Sequence, residues 1–351
     1  MRLELEPRLL PSRAATIGVS LGSVAVGLGA GAIVLALAGV NPWDAYGAIL
    51  NTSLLGGAFA ISDTLVKATP LLLCGLGCTI AFRARLWNVG AEGQLLLGAW
   101  AATGVASFWL PAGTPSFLML VAMGLAAAVA GALWAGIAGW LKASLSVNEV
   151  ITTLMLVYIA QRFLAYFVFG AWSEGGFPLT PVFPRSAWLP KLSGLSLHLG
   201  FVVALVACGA VWLALSRSIW GFEIRLLGDS PAAARYAGLP VARRIVLTML
   251  VAGALAGLAG MLEIAGVGHR LQDRFSPGYG FIAIAVAWLG RLHPLGVLAS
   301  ALLFAMLLVG SKEVQPSGIA QMLQGAVMLC AVAFDFFARH RLRIVRGGRH
   351  G

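Results

Sequence analysis

Stretches of about 20 predominantly apolar residues return from one end of this 351-residue chain to the other, and no other feature limits its folding as strongly. Wound as a helix, one such stretch crosses the roughly 30 Å of hydrocarbon in a bilayer. Only 11% of the residues are charged, far below the roughly one quarter of an ordinary globular domain, so a water-facing surface could not be covered. The 44 glycines would weaken exposed helices in water. They suit membrane helices, where small residues let backbones approach closely. The expectation is an all-α polytopic membrane protein, with residues 1–351 as a single transmembrane domain.

Ten spans are expected at roughly 14–40, 64–82, 94–110, 117–141, 150–170, 199–216, 246–265, 279–291, 294–310 and 317–338. Arg2, Arg8 and Arg13 precede the first of them. The run from Ala14 to Val40 is much longer than the 7–15 residues or so of a signal-peptide core, so it reads as a span. Asn41 to Asp63 reads as an interfacial helix, and the short eighth span as one that could form a re-entrant pair with the ninth.

Orientation follows from where Lys and Arg lie. With a cytoplasmic N-terminus, the inner side carries Arg2, Arg8, Arg13, Arg83, Arg85, Lys142, Arg217, Arg225, Arg235, Arg243, Arg244, Arg291 and the arginines of the tail 339–351. The outer side holds only Arg185, Lys191, Arg270, Arg274 and Lys312. Both termini are therefore expected in the cytoplasm: an N-tail 1–13 and a basic C-tail 339–351, with a long outer loop 171–198 and a cytoplasmic loop 217–245. Spans one to five and six to ten would have opposite orientations, which permits an inverted repeat. The net charge of +11 then reads as a topology signal with attraction to anionic lipid heads, not as a nucleic-acid surface, because no aromatic stacking platforms alternate with the basic residues.

Several catalytic chemistries are missing. No lysine follows a glycine and precedes Ser or Thr, so there is no phosphate-cradling P-loop, and neither HExxH nor GxSxG occurs. His198, His269 and His293 are isolated, and Cys74, Cys78, Cys208 and Cys330 sit in apolar runs without a ligand set around them. No metal, cofactor or catalytic residue is expected.

Three polar features remain. Leu86 to Gln94 places Asn88, Glu92 and Gln94 in a glycine-rich stretch opening the third span. These three either cap that helix or line a pathway, since polar groups beside hydrocarbon usually face a cavity or a partner. Asn148 and Glu149 open the fifth span, where an N-cap with an acid in the first turn is the better reading and a pathway role the alternative. Arg162 lies deeper in the same span and should face the bundle interior or snorkel outward. In the inner loop, Ser230 can cap a short helix with Pro231 at its first position, and Gly238 can stop it. A short amphipathic helix there would dock the chain into a separate motor, or merely connect two spans.

The order LWNVGAEGQLLLGAW, VNEVITTLML, GDSPAAARYAGLPVAR, AGALAGLAGMLE and FSPGYGFIAIAVAWLGRLHPLG resembles the permease subunits of bacterial ABC importers. It is similar to the branched-chain amino acid/ribose permease superfamily, in its simple-sugar and nucleoside (guanosine-type) branch, from about residue 64 to 338. The resemblance implies an inner-membrane subunit without catalysis, translocating a nucleoside or simple sugar by alternating access. It implies two ATP-binding subunits that carry ATP and Mg, a second permease, identical or related, and an extracytoplasmic solute-binding lipoprotein. Asn88, Glu92 and Gln94 match the family's NxGxEGQ motif. The stretch holding Gly228, Asp229, Pro231, Ala233, Ala234, Arg235, Tyr236 and Gly238 corresponds to its coupling helix. The chain departs from the pattern at Val157, Ala283 and Trp288, where Asn, Gly and Leu are usual, which leaves the solute open. The runner-up is an ion- or proton-coupled transporter, for which Glu263 and Asp335 are the other span-associated acids.

Overall fold

The computed structural model describes residues 2–7, 13–192, 195–310 and 340–345, with isolated positions between 322 and 333. It divides into two compact units, Met1–Asn51 with Gly310–Gly351, and Thr52–Val309.

The first unit holds α1 (Arg13–Leu37) and α2 (Pro42–Leu50). Asn41 caps α2 by accepting the Trp43 N–H at 3.1 Å, and Pro42 takes the first helical position. Leu35, Ala45 and Ile49 form the small core between them. The tails pair as an antiparallel ribbon of β1 (Arg2–Pro7) and β2 (His340–Val345), in a register that sets Glu4 opposite Arg343 and Glu6 opposite Arg341. This ribbon is the one departure from an all-helical set of named elements.

The second unit contains α3 (Ala58–Arg83), α4 (Ala91–Gly104), α5 (Ser116–Leu145), α6 (Glu149–Phe169), α7 (Gly200–Arg217), α8 (Ile219–Asp229), α9 (Pro231–Tyr236), α10 (Val241–Glu263), α11 (Tyr279–Leu289) and most of α12 (Pro294–Gly310). Of these, α3, α5, α6, α7 and α10 with its continuation to Gly268 are long and apolar enough to cross a membrane. Shorter apolar helices lie at Val24–Leu37, Tyr279–Leu289 and Pro294–Gly310. The tenth expected span, 317–338, lies almost wholly outside the described residues.

Two expected boundaries need correction. The segment 41–63 is not one interfacial helix: α2 and a π-turn end at Leu55, Gly57 breaks the chain at φ 88°, and 58–63 is already the first part of α3. Ser62 and Asp63 hid that part from a count of apolar residues; Ser62 is buried, whereas Phe59, Ile61 and Asp63 beside it are exposed. The stretch 94–110 begins as helix earlier, at Ala91, and ends in a π-turn at Val105–Trp109.

Small residues set the packing. Along α5, Met119, Met123, Ala127, Gly131, Ala135 and Ala138 return at helical spacing and are buried, while Leu125, Val129, Leu133 and Ile137 form the exposed stripe opposite. The buried stripe lies on α10, where a Cβ on Gly131 would collide with the Gly253 carbonyl and one on Gly257 with the Ala127 carbonyl. Gly98 of α4 meets the same Gly257. Backbone contact of this kind replaces the hydrophobic driving force that is absent between helices in lipid. The most enclosed of the spans is α3, buried nearly all round, as a helix without a polar face should be.

Candidate functional site

Two short helices meet N-terminus to N-terminus. The turn after α11 is fixed at Leu292, whose carbonyl accepts the Arg83 Nε–H at 2.8 Å at the C-terminal end of α3. From that turn α11 rises over 11 residues, about 16 Å at 1.5 Å per residue, roughly half the hydrocarbon thickness. Its N-terminus there touches the start of α4: a Cβ on Gly280 would strike the Glu92 backbone. Glu92, 3% exposed, accepts the Gly280 N–H at 2.7 Å, so one buried carboxylate stands where the positive ends of two helices converge.

Asn88 and Gln94 are bound to each other. Asn88 Nδ2 donates to Gln94 Oε1 at 3.1 Å, Gln94 Nε2 donates to Asn88 Oδ1 at 2.8 Å, and the Gly90 N–H adds a third bond at 3.1 Å. Thr153 of α6 accepts the Val89 N–H at 3.3 Å, which stitches the two sequence motifs together. Asn88, Glu92 and Gln94 thus act as the hydrogen-bonded start of α4. They are buried and their bonds are made within the chain, because each must be satisfied where water is absent. Asn148 caps α6 through the Val150 N–H at 2.9 Å, and Glu149 pairs with Lys142 at 2.8 Å. These two anchor a helix end.

A further polar cluster, on α3, α10 and α11, was not singled out by motif. Glu263 Oε1 accepts from Lys67 Nζ at 2.7 Å and from Tyr279 Oη at 3.0 Å, with the ammonium 5.6 Å from the tyrosine ring centre. Glu263 Oε2 is buried without a partner. The Lys67 side chain stays 22% exposed and that of Glu263 7%. A lone lysine and a lone glutamate in apolar runs were visible signals, but 196 residues separate them. Glu263 is thus paired with Lys67; Asp335 lies outside the described residues.

Arg162 does not face the bundle interior. It lies on the exposed face of α6 with Met155, Tyr158, Ile159, Gln161 and Tyr166. Helical side chains lean toward the N-terminus, so this guanidinium leans away from the nearer, outer end of α6. Trp288, an unusual bulk by the family pattern, stacks with Phe82 and Trp87 at centroid distances of 5.9 and 5.8 Å. Val157 and Ala283 are buried.

The loop 171–198 is strapped down. The Thr180 N–H donates to the Leu271 carbonyl at 2.9 Å, that of Phe183 to His269 at 2.8 Å and that of Leu189 to Ala265 at 3.1 Å. Trp188 stacks on His269 at 3.8 Å. His198 is buried, and burial followed by the Lys67 charge pushes its imidazole down to about 4. Trp100, Phe108, Phe163, Phe167 and Trp172 form one aromatic cluster that includes the start of this loop.

On the opposite side, α8 is held by Arg244–Glu223 at 2.8 Å and by Gly228, where a Cβ would collide with the Arg83 carbonyl. Ser230 caps α9 through the Ala233 N–H at 3.2 Å, Pro231 follows, and Gly238 ends the turn at φ 76°. Asp229, Pro231, Ala233, Arg235 and Tyr236 are exposed, Tyr236 at 96%, whereas Gly228 and Ala234 are buried. Gly228 and Ala234 seat α8 and α9 on the bundle, so that the other face of α9 projects.

The model of the branched-chain amino acid transport system/permease component family matches residues 60–332. The chain is 37% identical to the glucose ABC transporter permease TsgB13 of Haloferax volcanii, over 98% of this chain and 94% of the relative. It is 34% identical to the guanosine permease NupP of Bacillus subtilis, over 94% and 95%, and 33% identical to the nucleoside permease NupB of Lactococcus lactis, over 86% and 85%. In each organism a second permease named for the same solute is less similar, at 30%, 27% and 24% identity.

Proposed function

The chain belongs to the branched-chain amino acid transport system permease family and is a transmembrane subunit of an ABC importer, and from that premise we propose that it carries a nucleoside or simple sugar beside a second, unlike permease. The observation that carries this reading is likeness along almost the whole chain to sugar and nucleoside permeases that occur two to an organism. In every pair this chain sides with the same, more similar member. A heteromer is therefore favoured over two copies of this chain.

The exposed face of α6 is where the second permease belongs. A guanidinium and an amide at that depth are costly against lipid, and a partner or the watery seam beside it would cover Arg162 and Gln161. On the outer side, the cluster of Lys67, Glu263 and Tyr279 offers an ammonium, a hydroxyl and an unpartnered carboxylate oxygen. That set suits the vicinal hydroxyls common to a nucleoside's ribose and a hexose. The exposed face of α9 meets an ATP-binding subunit, which hydrolyses ATP, and its closure reorients the permease pair. The strapped outer loop receives a solute-binding lipoprotein. The pairing of β1 with β2 and the basic bias support a reading in which both tails lie in the cytoplasm and the chain in the cell (inner) membrane.

Uptake of labelled guanosine, adenosine, uridine, ribose and glucose by cells expressing the full set of subunits, with and without this chain, tests the solute. Accumulation of a nucleoside or sugar only when the chain is present supports the reading. Uptake confined to branched-chain amino acids would sink it.

A further inference from the structure

Beside the coupling side of the bundle lies a cavity of about 290 Å³ whose lining includes Arg83, Arg225, His293, Trp212, Ser216 and Pro294. Three of these groups are basic and none is acidic. Among the described residues no carboxylate lies within 4 Å of either guanidinium. Backbone carbonyls fix both forks instead: Arg83 Nε donates to Leu292 at 2.8 Å, and Arg225 Nη1 donates to Leu215. The remaining N–H groups of Arg83 find no acceptor among the described residues, and those of Arg225 likewise. The 17-residue helix α12 starts at Pro294 on the cavity wall, which adds the positive end of a helix and its unbonded amides.

An uncompensated basic cavity at the end of membrane helices asks for an anion. Its surroundings favour one kind. Leu213 and Leu295 flank it and are exposed, and the stripe Val202, Leu205, Val206 and Leu213 runs up α7 from it, a dry track for acyl chains. Trp212 in the wall suits the polar–apolar boundary. We propose that this cavity seats the phosphate of an anionic phospholipid, with Arg83, Arg225 and an N–H of His293 on the phosphate oxygens and the acyl chains along α7. Basic pockets between membrane helices hold such head groups elsewhere, and guanidinium–phosphate bonds are among the stronger charge-assisted ones. Which leaflet supplies the lipid rests on the orientation proposed above; the occupancy itself does not. A lipid held between α3, α8 and α12 would also stiffen the platform from which α9 projects.

The test is thermal unfolding of the full-length chain in neutral detergent, titrated with phosphatidylglycerol, phosphatidylcholine or inorganic phosphate. Phosphatidylglycerol should raise the melting midpoint saturably, since a ligand of the folded state stabilises it by mass action, and the other two should not. Arg225→Gln and His293→Gln should each raise the half-saturating phosphatidylglycerol concentration, about tenfold for the arginine, the loss expected for one charge-assisted bond. Arg235→Gln, outside the cavity, should leave it unchanged. Equal titrations for the wild type and both cavity variants would overturn the proposal. An equal rise with inorganic phosphate would overturn the lipid as occupant.

Discussion

Replacing Glu263 by Gln leaves Lys67 as a partly buried cation without its counter-charge, and breaking such a pair costs roughly 3–5 kcal/mol when it is fully buried, less here because Lys67 is partly exposed. Glu263→Gln should therefore lower both the melting midpoint and uptake. Lys67→Met combined with Glu263→Gln should restore much of the stability, since no unpaired charge is left behind, yet leave uptake at least tenfold below the wild type. Recovery of uptake together with stability would mean that the cluster only supports the fold. A second residue-scale expectation concerns His198. Its folded-state pKa, about 4, lies below the ordinary 6.5, so between those values the released loop binds a proton that the docked loop refuses. Stability is full above about pH 6.5 and falls as the pH drops toward 4, by up to roughly 3 kcal/mol. Midpoints measured from pH 7.5 to 4 should show that fall, and His198→Gln should flatten it. Local chemistry of this kind was legible where partners are close in sequence: Asn148 as a cap, Ser230–Pro231 as a helix start. The Lys67–Glu263 contact was not, because spacing carries no information about groups that only the packed bundle brings together.

Among the elements, the α5–α10 crossing leaves no room. Gly131→Leu would drive a side chain into the Gly253 carbonyl. Overpacking of this sort costs about 1–3 kcal/mol or more, so the variant should yield little folded protein, whereas Leu133→Ala on the exposed stripe should fold normally; gel filtration in detergent distinguishes them. For α9 the outcome depends on the face. Tyr236→Ala and Arg235→Glu should leave a folded permease that loses copurification with the ATP-binding subunit. Ala234→Asp buries a charge and should fail earlier, at folding. Retained copurification in the first two would remove α9 from the interface. The long helices were readable from apolar runs because a span needs a fixed length. The N-terminal meeting of α4 and α11 was foreshadowed only by the shortness of 279–291, and the π-turns at 105–109 and 264–268 had no sequence mark, since an inserted residue in a helix alters no periodicity strongly enough to be seen.

At the scale of the molecule, the proposed function makes the chain one subunit of a membrane assembly. The exposed face of α6 carries Gln161 and Arg162, one face of α9 projects from the bundle, and the loop 171–198 is strapped down by backbone hydrogen bonds. Coexpression with the second permease of its own organism should give a one-to-one complex by mass; a stable pair of identical chains in its presence would count against the unlike partner. The central claim is that ATP, hydrolysed on separate subunits, drives import through this chain. Proteoliposomes holding both permeases and the ATP-binding subunits, with the binding protein and labelled nucleoside or sugar on one side and ATP on the other, measure that directly. The account predicts accumulation that needs ATP and the binding protein and that a proton uncoupler leaves intact; accumulation without ATP that collapses with the uncoupler would contradict it.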